Sequence, residues 1–346
     1  MSHEFRELLK KISSGTHTHE DLTRGEAAQA TRLLLAGKAT PAQIGAFLIA
    51  HRIKRPTAEE LAGMLDAYAE YGPRLPQRDL PHPLVIFGHP YDGRSRTAPL
   101  GVLVALVLAA AGAAVLLHGS GCCPPKYGLP LEVVWRGLGV DWRGWSLEQV
   151  GRCLEQTGLG FLYLPDCFPQ AQALMEYRDQ IGKRPPLATL ELVWAPYEGP
   201  FHLVAGYVHP PTEATMLELF ALQGIQNFTT VKGLEGSSDL PRERTAILNH
   251  RGERLLLKAR DYHLAGPEIP LAEEKELLRQ MHQLLNGDPS PLAPAVLWNG
   301  GSYLWLLGYA QSLSEGIQQA EELLRSGRVR EKLQQLQHLA CLAQPS

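Results

Sequence analysis

Positions 84–128 constrain the fold of this chain more than any other stretch. They read as a strand, a glycine-bounded loop, a helix, a second strand and another glycine turn. Residues 84–88 are Leu-Val-Ile-Phe-Gly. The loop then runs from Gly88 through His89, Pro90, Tyr91 and Asp92 to Gly93, followed by Arg94, Ser95, Arg96 and Thr97. A loop between a strand's end and a helix's start turns backbone N–H groups toward whatever sits there, and the helix dipole favours an anion. Glycine matters in such a loop because only a missing Cβ lets the main chain come close to a ligand.

Strand and helix signals alternate beyond this segment. Residues 160–165 and 201–208 read as strands, 212–222 as a helix, and 228–232 as a strand ending in a turn. Alternation of this kind implies an α/β domain with ligands at the carboxyl ends of the strands. Residues 245–257 predict a hairpin turning near Gly252. The C-terminal part is helical, opened by Ser312 and Glu315 as a capping box and interrupted by Gly327. No internal repeat or low-complexity tract is evident.

The first seventy or so positions differ in kind. Thr23 with Glu26, Thr40 with Gln43, and Thr57 with Glu60 are three capping boxes, and Pro41 sits at a first helical position. Ile44, Phe47 and Leu48 keep helical spacing, as do Leu61, Met64, Leu65 and Tyr68. The expected organisation is a helical domain over 1–73 and a proline-rich linker over 74–83, whose prolines forbid helix and central strand. An α/β domain over 84–346 follows. The fold class is therefore α/β, with a small N-terminal helical domain, a larger domain with a central sheet flanked by helices, and a cleft between the two.

Composition narrows the function classes. With 45% hydrophobic residues the chain can bury a sizeable core, and a net charge of −3 gives no global drive toward nucleic acid or an anionic membrane. The run 100–117 spans about 18 residues, the lower limit for a membrane helix. It lies between two loop signals, so a buried helix plus strand is expected and no membrane partner. Five cysteines without a C-x-x-C pair suit a reducing, cytoplasmic setting rather than zinc. The charged N-terminus reads as a helix, not as a signal peptide.

The loop and its surroundings resemble the anthranilate phosphoribosyltransferase family, where Gly-Thr-Gly-Gly-Asp-Gly leads into Thr-Phe-Asn-Ile-Ser-Thr. Gly88, Asp92 and Gly93 match, and the family's Lys-His-Gly-Asn-Arg turn falls on 117–121, with His118 and Gly119 kept. The resemblance covers nearly the whole chain. It implies helices around 168–190 that return to the small domain, and homodimers formed through helical-domain faces. It also implies a phosphoribosyl pyrophosphate site with magnesium in the cleft. The departures bear on activity. His89, Pro90 and Tyr91 replace a threonine and two glycines, and proline removes a donor and fixes φ. Ala98, Leu100, Gly101 and Leu117 replace polar side chains. The family's Asp-Glu magnesium pair falls on Ser238 and Asp239, with Glu235 nearby. Magnesium is commonly held by one or two carboxylates plus substrate phosphates. Asp239 and Glu235 are thus the expected, weak metal site, with Mg2+ present only together with phosphoribosyl pyrophosphate. Arg178 matches the arginine that helps hold the anthranilate carboxylate.

These readings converge on Gly88, Asp92, Gly93, Arg94, Arg96, Thr97, His118, Ser120, Lys126 and Arg178 as candidate ligand contacts. Arginines beside a former phosphate loop suit bidentate anion recognition, or are solvated loop residues. His118 is either a ligand or a satisfied turn histidine, and Asp92 either a ligand or a loop cap. The expected function is that of an anthranilate-phosphoribosyltransferase-like protein of the glycosyltransferase type with an eroded site, outside the tryptophan-pathway step. If active, it is a pentosyl or phosphoribosyl transferase. The chain resembles a diverged branch of the family that lacks anthranilate transferase activity, some of whose members bind nucleic acid without sequence preference. Arg242, Arg244, Arg251, Arg254, Lys258 and Arg260 are a cluster suited to tracking phosphates, or a solvated face. A sensor of a nucleotide or other phosphate metabolite is the third reading.

Overall fold

The computed structural model describes residues 2–15 and 17–343. Met1 and positions 344–346 of the expected α/β domain lie outside the described residues. The N-terminal helices are His3–Ser13, Arg24–Leu35, Pro41–Lys54 and Ala58–Tyr71. All three threonine caps form as complete boxes, each accepting the N–H three residues on while Glu26, Gln43 or Glu60 returns the bond. At Ser312 only half of the box forms. Its hydroxyl accepts from Glu315 N–H, but the Glu315 carboxylate turns to the Gln311 N–H at 2.7 Å. Residues 72–83 contain one isolated bridge, between Leu75 and Tyr197, and no helix or strand.

Seven strands make one sheet: β1 (Leu84–Gly88), β2 (Val115–Gly119), β3 (Leu159–Tyr163), β4 (Phe201–Gly206), β5 (Phe228–Val231), β6 (Ala246–His250) and β7 (Glu253–Leu257). The spatial order is β3-β2-β1-β4-β5-β6-β7, parallel from β3 to β5 and antiparallel at β6 and β7. Phe87 lies in register with Leu117 on one side and Val204 on the other. Every residue of β1 and β2 is buried, as continuous Val/Ile/Leu runs require when helices cover both faces. The apolar run resolves into the helix Gly101–Ala110, buried at every position, and β2. Helices Ala293–Leu306 and Arg328–Ala343 pack on that buried helix, while Leu187–Val193 packs on β1 and β4. Among the described residues no helix is long and apolar enough to cross a membrane.

Some boundaries move for local reasons. The helix expected from 212 begins at Pro210, because Pro210 and Pro211 fill first-turn positions where a missing N–H costs nothing. The strand expected over 160–165 ends at Tyr163, where a short helix, Leu164–Cys167, takes over. The β6–β7 turn places Arg251 and Gly252 at φ 51 and 92, the two positive values of a type I′ hairpin. Met175–Gln180 lies against Pro41–Lys54, and Leu187–Val193 touches Ala58–Tyr71, so this segment connects the helical bundle to the sheet. Tyr68, Phe168 and Trp194 meet there with ring centroids 5.0–5.9 Å apart.

Strand order reverses between β1 and β4. In open α/β sheets the crevice beyond the carboxyl ends at such a point receives ligands. The loop after Gly88 sits there.

Candidate functional site

Gly88 and Gly93 are required by packing within the chain. A Cβ on Gly88 would lie 2.1 Å from the Leu192 carbonyl oxygen, so glycine permits the helix Leu187–Val193 to press on β1. Gly93 has φ +72, and a Cβ there would meet the Gly128 backbone at 2.6 Å. Asp92 is not a loop cap. Its side chain is 1% exposed and receives a bidentate pair from Arg184, with Nε–Oδ2 at 2.6 Å and Nη2 on Oδ1.

The charged residues after Gly93 converge on the turn that precedes β6. Arg94 is buried. Its Nη1 donates to Asp239 Oδ2 at 2.5 Å and Ser237 Oγ at 2.6 Å, its Nε to Glu235 at 3.3 Å, and its Nη2 to Thr97 Oγ1. Glu235 also accepts from the N–H groups of Ser95, Arg96 and Thr97, from the Ser95 and Thr97 hydroxyls, and from Lys126 at 3.0 Å. Burial alone pushes the Glu235 carboxyl up, but Lys126, the Ser95 N–H and the Arg94 charge outweigh it and hold the group far below the usual carboxylate range. The Arg96 side chain, 79% exposed, points away from this cluster apart from its 4.0 Å approach to Glu235.

A divalent cation does not fit these acids as arranged. Asp239 Oδ2 is taken by a guanidinium, and both Glu235 oxygens are surrounded by donors. Among the described residues, no group of three or more His, Cys, Asp or Glu side chains is placed to hold a metal ion.

A second cluster lies toward the helical bundle. Arg178 is buried and pairs with Glu191 through Nη1, and Glu191 also accepts the Tyr91 N–H at 2.8 Å. Burial raises the Glu191 carboxyl; the Arg178 charge and the Tyr91 N–H pull against it. Among the described residues, Arg178 Nε and Nη2 meet no partner. Arg178 borders a cavity of about 20 Å³ together with Tyr68, Tyr91, Leu174 and Trp194, room for roughly one water. His118 is a satisfied core histidine. Its Nε2 donates to the Trp194 carbonyl at 3.2 Å, which leaves Nδ1 to accept from the Tyr91 hydroxyl at 2.6 Å. Burial, aided by nearby His89, lowers it to about 3, so the ring is neutral. Ser120 bonds to Gln172 at 2.8 Å.

Of the basic residues of the hairpin region, Arg242 is buried, and Arg244, Arg251, Arg254, Lys258 and Arg260 are exposed. Arg242 is turned inward, its Nε on the Leu264 carbonyl at 2.7 Å. Arg254 pairs with Glu213 at 3.2 Å, and Arg244 reaches the Lys232 carbonyl.

Sequence reading missed Arg184, Glu191 and Ser237. Glu191 lies in the run Leu-Ala-Thr-Leu-Glu-Leu-Val, where a buried acid on an apolar helix was the available signal. Arg184 sits in a Gly- and Pro-flanked loop and carries none.

Residues 6–72 match the helical bundle domain of a glycosyl transferase family, and residues 94–330 match its a/b domain. The anthranilate phosphoribosyltransferase of Chromobacterium violaceum is 29% identical over 320 residues, covering 88% of this chain and 90% of that one. The crystal structure of the Thermus thermophilus enzyme of that name superposes with a TM-score of 0.80 at 25% identity, over 96% of this chain and 99% of that one. The Saccharomyces cerevisiae enzyme, solved with PRPP and Mg, gives 0.86 at 19% identity over 99% of each chain, which speaks to the fold. The chain belongs to this glycosyl transferase family.

Proposed function

We propose that this chain keeps the family's fold and cleft without its phosphoribosyl pyrophosphate chemistry, and that it does not carry out the anthranilate step. One observation carries the reading: the Arg94 guanidinium sits against Asp239, Ser237 and Glu235, where the resemblance puts the magnesium acids. An arginine is charged at every physiological pH and supplies a fixed fork of donors. It neutralises these acids permanently, whereas a magnesium ion would arrive and leave with a diphosphate. The loop before it offers no substitute. Pro90 has no N–H, and the Tyr91 N–H is bonded to Glu191. Phosphoribosyl transfer depends on preorganised charge stabilisation, and loss of one such donor costs on the order of 10²–10³ in rate. Several losses act together here.

The test is calorimetric titration of phosphoribosyl pyrophosphate with magnesium chloride into the protein. No binding heat is expected, and phosphoribosyl-pyrophosphate-dependent consumption of anthranilate should be absent. A micromolar response with turnover refutes the reading.

The homodimer through helical-domain faces belongs with this proposal and is checked by light scattering on the eluting protein. Magnesium, on this reading, does not stabilise the protein alone.

A further inference from the structure

The carboxylate of Glu235 occupies a site with more donors than it can use. Four donors address Oε1: Arg94 Nε at 3.3 Å, Arg96 N at 3.1 Å, Thr97 N at 3.0 Å and Thr97 Oγ1 at 2.9 Å. Three address Oε2: Ser95 N and Ser95 Oγ at 3.1 Å, and Lys126 Nζ at 3.0 Å. A carboxylate offers about four lone-pair sites. A phosphoryl group presents three strongly accepting oxygens and up to two negative charges. Successive N–H groups turned to one point form an anion-binding concavity, and two cations border this one. The donor set suits a tetrahedral oxyanion better than its present occupant.

Delivery of the occupant has a cost. Glu235 adopts φ 54 and ψ 22 inside the short turn Leu234–Gly236, left-handed backbone that a glutamate rarely takes. Such a conformation is disfavoured for a residue with a Cβ and persists where surrounding bonds over-determine it.

We infer that residues 95–97, with Lys126 and Arg94, are a phosphoryl-binding nest whose resident ligand is the chain's own Glu235, an internal stand-in that keeps the site closed. The inference goes beyond the loss of phosphoribosyl transfer and is independent of it. Its probe is inorganic phosphate without metal, so failure here leaves the pyrophosphate titration untouched.

The experiment follows thermal unfolding of the full chain in phosphate and in chloride at matched ionic strength. Wild-type protein should show only the small general rise that phosphate gives by exclusion from protein surfaces, and that rise is the baseline for the variants. Glu235→Ala should gain a phosphate-specific rise of roughly 2 °C for each tenfold increase in phosphate above saturation. Adding Lys126→Ala to that variant should weaken the response at least several-fold. Glu235→Gln, which keeps one accepting oxygen, should respond less than the alanine variant. If Glu235→Ala has no cooperative transition in chloride, its recovery in phosphate supports the nest. Absence of recovery, or a phosphate response no larger than that baseline, overturns it.

Discussion

Replacing Arg94 by alanine tests whether an internal guanidinium stands in for a metal ion. The side chain donates to Asp239 at 2.5 Å, Ser237 at 2.6 Å and Glu235 at 3.3 Å, and also to Thr97. Both acids and the arginine are buried, with side chains 4–5% exposed. Removing one partner of a buried ion pair costs about 3–5 kcal/mol, mostly because the other charge is stranded. Here the stranding is uneven. Glu235 keeps Lys126 and the Ser95–Thr97 donors. Asp239 keeps only the Leu100 N–H at 3.3 Å. The lower end, about 3 kcal/mol, is therefore expected, or a midpoint drop of roughly 4 °C for a chain of this size.

The same variant should become sensitive to magnesium. With the guanidinium gone, Asp239 is an unpaired carboxylate beside Glu235 and Ser237. If the ion binds with a dissociation constant near 1 mM, ten times that concentration returns about 1.4 kcal/mol, roughly 2 °C. Unfolding is followed by tryptophan fluorescence in magnesium chloride and in EDTA. Arg94→Lys should lie between wild type and alanine, because a point charge cannot span both acids. A variant within about 1 °C of wild type would show that Arg94 is peripheral. Wild-type protein stabilised by magnesium as much as the variant would show that it does not replace a metal.

Three further outcomes follow from the same contacts. Converting His89, Pro90 and Tyr91 to Thr, Gly and Gly should not create phosphoribosyl transfer, measured by anthranilate fluorescence, and should destabilise the protein by about 3 kcal/mol through loss of the buried Tyr91 ring. Measurable turnover would contradict this. Asp92→Asn should break the bidentate hold on Arg184, and hydrogen exchange should quicken around 181–186; unchanged protection there would assign that order to other contacts. Burial pushes Glu60 up, but His51 at 3.4 Å, Lys54 and the Thr57 N–H bring it down to about 2 from 4.5. A depressed carboxyl stabilises the fold above its unfolded value, and that contribution is lost as pH falls from about 4.5 toward 2. It amounts to roughly 3 kcal/mol, and denaturant titrations of wild type and Glu60→Gln should differ by it at pH 6 and converge at the acid end.

What could be read in advance was local. The three threonine boxes depend on residues three apart, and the β6–β7 turn on two adjacent positions. The buried helix and strand follow from an uncharged run between glycines. The candidate cluster was named residue by residue, since Arg94, Thr97, Lys126, Glu235 and Asp239 do meet. Their relation to one another was not legible. Arg94 and Asp239 are brought together by the crossing from β1 to the turn after β5, and nothing in spacing announces that the arginine addresses the acid instead of a ligand. Gly88 and Gly93 were legible as special positions for a different reason from the one the structure shows. Backbone crowding by Leu192 and Gly128 requires them, and crowding between distant segments leaves no local trace. Asp92 before Gly93 had the look of a loop cap, because its partner Arg184 lies in a connection without periodicity.

The replacements form a pattern that single losses do not explain. A cleft that merely shed ligand-binding side chains would keep stranded charges, each costing several kcal/mol when buried. In this chain each of these charges faces a counterpart of the sign a ligand would supply. Arg94 stands against Asp239 where the resemblance puts magnesium. Glu235 fills the donors of Ser95–Thr97 as an oxyanion would. Glu191 lies on Arg178 where the resemblance puts a substrate carboxylate, and Arg184 covers Asp92. Each pair stabilises the closed cleft by removing a desolvation penalty, and each raises the free energy that an incoming ligand must supply to open it. Stability and ligand access are thereby opposed at the same atoms. On this account Arg94→Ala and Glu235→Ala should both destabilise the free protein, while the first opens the cleft to a cation and the second to an anion. A variant that lost stability without gaining the matching ion response would break that link.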